Sequence, residues 1–222
     1  MKKVGRTRQR ADEPKRKTYR HGNLREVMIA QAVELARAEG PEAVVLREVT
    51  RRAGVVPNAA YRHFINQQDL LDAVRSRALS ALAKEIEREM HNKVRNVRDK
   101  AAFGRRSLRA VGTAYLRFAQ TETGLFRTAF SAPPAVFAPP DPRNVGDAGL
   151  NPFELLGLAL DRMVAGGVLN IKHRPNAEFL AWSTVHGMAW LILDGPLKAM
   201  QKSYLDLLGK QLLDMVERGL AT

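Results

Sequence analysis

The chain has 222 residues, 45% of them hydrophobic and 27% charged, the profile of a globular protein with one large domain or two small ones. It has no cysteine, which excludes disulfides, thiolate-held zinc, iron–sulfur clusters and thiol nucleophiles, and fits a reducing compartment. There are 36 Lys and Arg against 23 Asp and Glu, a formal charge of +13, and a pI near 10.5 points to nucleic acid or another anionic surface as partner.

The charge is uneven. Residues 1–20 carry nine basic and two acidic side chains, a net +7. With almost no apolar content this stretch is expected to be a basic, flexible arm, either solvated or laid along DNA phosphates. Residues 21–222 hold the remaining +6. No apolar run reaches the ~18 residues of a membrane span, and the first residues lack the apolar segment of a signal peptide. The expectation is a cytoplasmic protein with no membrane partner.

Asn23 followed by Glu26 is a capping-box pattern. Leu24, Met28, Ala32 and Leu35 then repeat on one helix face, and Gly40-Pro41 stops that first helix near Glu39. Leu46, Val49, Thr50 and Ala53 mark a short second helix, which Gly54 ends by taking a positive φ. Pro57 suits the first position of a third helix, expected to run to about Phe64. Two short helices joined by a glycine turn, the second small and polar, make a helix-turn-helix or an ordinary helical hairpin, and the basic arm just upstream favours the first. Asn66 caps a long fourth helix extending to about Val94, with Leu71, Val74, Ala78 and Leu82 on one side.

A fifth helix is expected from Arg98 to about Glu122, with Leu108, Val111, Tyr115 and Phe118 inward. A short aromatic helix follows from Gly124 to Ser131. Residues 133–152 hold six of the eleven prolines and read as a mobile loop. Asn151-Pro152 restarts a helix that runs to about Val168. Asn176 to Asp194 is apolar nearly all round, so it is expected to be covered on several sides. Leu205, Leu208, Leu212 and Met215 define a last amphipathic helix ending before Gly219. No strand alternation competes, so the fold is expected to be all-α.

Tyr19-Arg20-His21-Gly22-Asn23-Leu24-Arg25, Leu46-Arg47-Glu48-Val49-Thr50-Arg51-Arg52-Ala53-Gly54-Val55 and Pro57-Asn58-Ala59-Ala60-Tyr61-Arg62-His63-Phe64 resemble the first three helices of TetR-family repressors. Trp182, His186 and Gly187 resemble the Trp-His-Gly motif of one subgroup of its regulatory domains. Three positions depart from the pattern. Val45 and Val56 stand where Ser or Thr usually caps the second and third helices, and Gln67 stands where a phosphate-contacting Lys is common.

The resemblance implies three parts: an arm at residues 1–20, a helix-turn-helix domain at 21–66, and a helical regulatory and dimerisation domain at 67–222. It implies a homodimer that binds a double-stranded operator and is released by a small, largely apolar effector. In that reading Asn58 pairs with a base edge, since Asn can pair bidentately with adenine. Pro57 and Ala59 lie against the DNA. Tyr61, His63, Arg47, Arg51 and Arg62 contact phosphates, which position without specifying, and Gln67 is a further DNA-facing candidate. Phe118, Phe126, Phe130, Met163, Trp182 and His186 are the candidates for an apolar ligand pocket, each also able to serve simply as core. Two other readings stay open: a DNA-binding protein without an effector, and a helical small-molecule-binding protein. No nucleophile elbow, phosphate loop or metal-spaced histidine pair occurs, so no catalytic site, metal or cofactor is expected.

Overall fold

The computed structural model describes residues 24–132 and 141–221; the basic segment 1–20 lies outside them. Among the described residues the fold is all-α, with nine helices and no strand. The helices are α1 Leu24–Glu39, α2 Leu46–Ala53, α3 Pro57–Ala60, α4 Gln67–Val94, α5 Lys100–Thr121, α6 Thr123–Ala129, α7 Pro152–Ala165, α8 Ala177–Leu193 and α9 Lys202–Leu220.

Local signals explain most boundaries. Gly54 takes the left-handed conformation at φ 70° after α2. Asn66 caps α4 by accepting the Asp69 N–H at 2.9 Å, and Asp99 caps α5 by accepting the Ala102 N–H at 2.7 Å. Asn151 and Glu154 form a complete capping box with Pro152 at the first position of α7, an arrangement that satisfies otherwise unpaired N–H groups.

Three sequence expectations are corrected. The third helix closes at Ala60 instead of Phe64, because the N–H groups of His63 and Phe64 both bond the Ala60 carbonyl and tighten the chain into a turn. Residues 141–151 are not a mobile loop. Pro142–Asn144 forms one 3-10 turn, Ser80 Oγ donates to the Val145 carbonyl at 2.7 Å, and the Glu87 carboxylate accepts the N–H groups of Asp147 and Ala148. The last helix runs past Gly219 to Leu220, and its buried face is Leu205, Gly209 and Leu213, whereas Met215 is exposed. Gly112 of α5 faces α9, where an added Cβ would meet the end of the Leu213 side chain.

The core is continuous from Met28 and Phe64 to Leu160 and Leu169. α4, 28 residues and so about 42 Å long, is the shaft common to both ends. It packs on α1, α5, α6 and α7. Arg77 pairs with Glu26 of α1 at 2.5 Å, and Arg117 of α5 reaches Glu89 of α4 at 3.0 Å. α5 and α7 meet almost backbone to backbone: a Cβ on Gly104 would stand 2.7 Å from the Arg162 carbonyl oxygen.

Candidate nucleic-acid interface and ligand cavity

The α2–α3 unit is held from inside by Val49, Thr50 and Ala60, all buried, with Phe64 beneath them. The Arg25 guanidinium lies 5.1 Å from the Phe64 ring centroid, a cation–π contact that ties α1 to the end of the recognition turn. Because Ala60 and Phe64 point inward, one helical turn apart, the intervening positions face out. Pro57, Asn58, Tyr61 and Arg62 are exposed, Ala59 and His63 half-buried. Arg47, Arg51 and Gln67 are also exposed. Val56 and Ile65, 69% and 86% exposed, flank the turn and were not singled out as site residues in the sequence. Both stand at non-helical positions just before a helix, where periodicity carries no signal.

The cations of this face differ in availability. Arg51 is engaged bidentately by Glu48, at 2.8 and 2.7 Å, and Arg52 reaches the same carboxylate at 2.9 Å. Hydrogen bonds from Arg51 first, then Arg52, hold the Glu48 carboxyl down at about 2. Arg47 and Arg62 have no ion pair among the described residues, so their guanidiniums are free for phosphate, for which the planar fork is suited.

A cavity of about 630 Å³ opens between α4, α5, α7, α8, α9 and the Pro142–Asn144 turn. Its walls are mostly apolar, including Leu79, Val111, Phe130, Phe153, Trp182 and Val185, as ligand sites usually are. Of the six residues singled out in the sequence, Phe130 and Trp182 line it. Phe118, Phe126 and Met163 are buried in the surrounding core, and His186 stands one residue back, behind Tyr115. Sequence reading missed Tyr115 as a cavity residue, and Arg75 and Arg143 altogether.

Four aromatic side chains form a hydrogen-bonded chain at this wall. Trp182 Nε1 donates to Tyr115 Oη at 3.2 Å. Tyr115 Oη and His186 Nδ1 are 2.6 Å apart, and Trp190 Nε1 donates to His186 Nε2 at 3.0 Å. Burial lowers the pKa of His186 and pushes the Tyr115 phenol well above its ordinary value. The Phe130 ring packs on the imidazole at 4.9 Å.

The charged side chains of the cavity wall are paired among themselves. Arg75 meets Asp72 at 3.2 Å, Arg143 meets Asp141 at 2.7 Å, and Arg109 meets Glu217 at 2.6 Å. Glu154 is committed to its capping box. Arg75 Nε and Asn144 Oδ1 are buried without a hydrogen-bond partner among the described residues.

Two family models match this chain. One, described as bacterial regulatory proteins of the TetR family, matches residues 28–74. The other, described as a tetracyclin repressor-like C-terminal domain, matches residues 108–216. No curated protein matches. Among solved structures, a protein of unknown function from Rhodococcus sp. RHA1 is 27% identical, with a TM-score of 0.70 over 93% of this chain and 100% of that one. A TetR-family transcriptional regulator from Pectobacterium atrosepticum is 20% identical, with a TM-score of 0.61 over 93% and 98%. A glutamine-to-alanine variant of TetR from Acinetobacter baumannii, in complex with minocycline, is 21% identical, with a TM-score of 0.55 over 87% and 94%. The chain belongs to the TetR family and is a DNA-binding transcriptional regulator. Regulators of this family bind operators and small-molecule effectors, form dimers, and are generally non-enzymatic. Among the described residues no helix is long and apolar enough to cross a membrane.

Proposed function

We propose that the chain is a homodimeric, cytoplasmic repressor whose operator binding ends when a small, largely apolar molecule fills the 630 Å³ cavity. The observation that carries this is a shared wall. α4 and α6 both touch α1 and both border the cavity, α4 through Arg75, Ser76 and Leu79, α6 through Ala129. Glu122, at the head of α6, pairs with Arg37 of α1 at 2.9 Å. A ligand that displaces either helix therefore displaces the helix that carries the reading head.

In this reading residues 21–66 form the DNA-binding domain and 67–222 the regulatory one, divided at the Asn66 cap. Asn58 reads a base edge, with Pro57 and Ala59 against the groove. Arg47, Arg62, Tyr61, His63 and Gln67 hold phosphates, and Arg51 joins them by exchanging Glu48 for a phosphate. The second protomer covers the outer faces of α8 and α9. There Leu180, Leu191, Tyr204 and Leu207 are exposed and Gly187 leaves open space, so two such pairs can pack as a four-helix interface. α9 also supplies Leu213 and Val216 to the cavity, which puts the ligand in contact with that interface.

The test uses an operator fragment recovered from genomic DNA and a panel of apolar compounds. A compound that fills the cavity should weaken operator binding, and the operator should weaken compound binding by the same factor, as linkage requires. A compound that fills the cavity and leaves operator affinity unchanged refutes the effector role.

A further inference from the structure

The orientation of one hydrogen in the aromatic chain follows from counting protons. An indole N–H only donates. Trp190 Nε1 is 3.0 Å from His186 Nε2, so Nε2 is the acceptor and bears no proton. A neutral imidazole carries one N–H, which must then be on Nδ1 and be donated to Tyr115 Oη, 2.6 Å away. Trp182 Nε1–H donates to the same oxygen at 3.2 Å. Tyr115 Oη thus receives two hydrogen bonds, the full capacity of a hydroxyl oxygen. Its own O–H has no acceptor among the described residues, and Tyr115 lines the cavity.

We infer that Tyr115 presents its hydroxyl hydrogen to the cavity as a fixed donor, and that the effector is a neutral apolar molecule carrying an acceptor oxygen, such as a ketone, ester or lactone. This rests on the reading of the cavity as the effector site. Two further observations support it. Burial keeps the phenol protonated and disfavours the second proton on His186 that would set two N–H donors against each other. Each charged side chain of the wall already has a counter-charge or a cap, Arg75, Arg143, Arg109 and Glu154 alike, and Arg75 Nε, without a hydrogen-bond partner among the described residues, is a second donor that favours an acceptor ligand. An ionic ligand would lose its hydration without gaining an ion pair. A donor-only ligand, such as an ammonium ion, would face the Tyr115 hydrogen and leave it buried and unpaired, the arrangement that most strongly discriminates between ligands.

The experiment has two arms on the full chain. In the first, NMR of the histidine ring nitrogens identifies the His186 tautomer in the wild-type protein. A proton on Nδ1 supports the assignment; a proton on Nε2 overturns it. In the second, two probes are titrated: the solvatochromic ketone propionyl-dimethylaminonaphthalene and its propyl analogue, which lacks the carbonyl oxygen. Tyr115→Phe should weaken the ketone about five- to tenfold, as loss of one buried hydrogen bond does, and shift its bound emission to the blue. The propyl analogue should bind both proteins equally. Equal effects of Tyr115→Phe on both probes overturn the donor assignment while leaving the cavity as a ligand site. If neither probe binds either protein, the cavity reading itself is refuted, and the inference with it. Should Tyr115→Phe not fold, the tautomer in the wild-type chain still decides.

Discussion

A Cβ built on Gly124 would stand 2.1 Å from the carbonyl oxygen of Ala36, so α6 and α1 touch backbone to backbone. This joint ties α6, which borders the cavity, to α1. Packed joints of this kind shift between discrete arrangements instead of deforming smoothly. Gly124→Ala should force the two helices apart at a cost of about 1–3 kcal/mol, a fall in Tm of roughly 3–10 °C for a chain of this size. Operator affinity should change with it, because α1 carries α2 and α3. Thermal melts and operator titrations check this. An unchanged Tm would mean that the helices have room to part.

Asn58→Ala and Tyr61→Ala should behave differently on DNA. Loss of a base-reading amide relaxes preference at one base pair by about 1–3 kcal/mol, whereas loss of a phosphate contact weakens all sequences alike. Titrations on the operator, on single-base variants and on random DNA separate the two. Equal losses from Asn58→Ala on specific and random DNA would remove its base-reading role.

Val56 precedes α3 with an extended backbone and no side-chain cap, and its side chain is mostly in solvent. Val56→Ser should therefore supply an acceptor for the first N–H groups of α3 without losing packing. Caps of this type contribute about 0.5–2 kcal/mol. The expected result is a higher Tm with the fold unchanged, read by circular dichroism. A lower Tm would show that the exposed isopropyl group makes a contact with more weight than the cap.

The signals that were legible in the sequence are those that act within a few residues: Gly54 after α2, Asn66 before α4, and Asn151 with Pro152 at α7. Each is a side chain or backbone state that settles its own neighbourhood. The early stop of α3 was not legible, because it depends on His63 and Phe64 sharing one carbonyl. The cavity was legible only in part. Phe126 and Trp182 are both aromatic residues on apolar faces, yet one is fully buried and the other lines the cavity. That difference is set by which helices meet, not by residue type. Arg75 and Arg143 were missed for the same reason, since the second belongs to a proline-rich stretch whose anchoring by Ser80 and Glu87 is entirely tertiary.

His186 ties pH to stability through a definite sign. Burial lowers its pKa in the folded chain below the ordinary value of about 6.5. Above that value both folded and unfolded chains hold it neutral. As pH falls from there toward the folded pKa, the unfolded chain binds a proton that the folded chain refuses, so stability declines. Wild-type Tm should fall between neutral pH and about pH 5, before the carboxylates titrate. His186→Gln, which takes no proton, should show a smaller fall. Identical slopes for the two proteins would mean that His186 is free to ionise in the folded state.

The most direct test of the central claim is recovery of genomic fragments by the purified full chain in excess random DNA, at two salt concentrations. The predicted result is a set of fragments sharing one inverted repeat, with half-site centres ~34–36 Å apart or a multiple of that distance, as a two-fold dimer of helix-turn-helix heads requires. Two protomers should be bound per site, and recovery should survive the competitor at both salts. Fragments retained only in proportion to their length, sharing no sequence and lost as salt rises, would instead show a protein that reads charge alone, and would contradict sequence-specific operator binding by this chain.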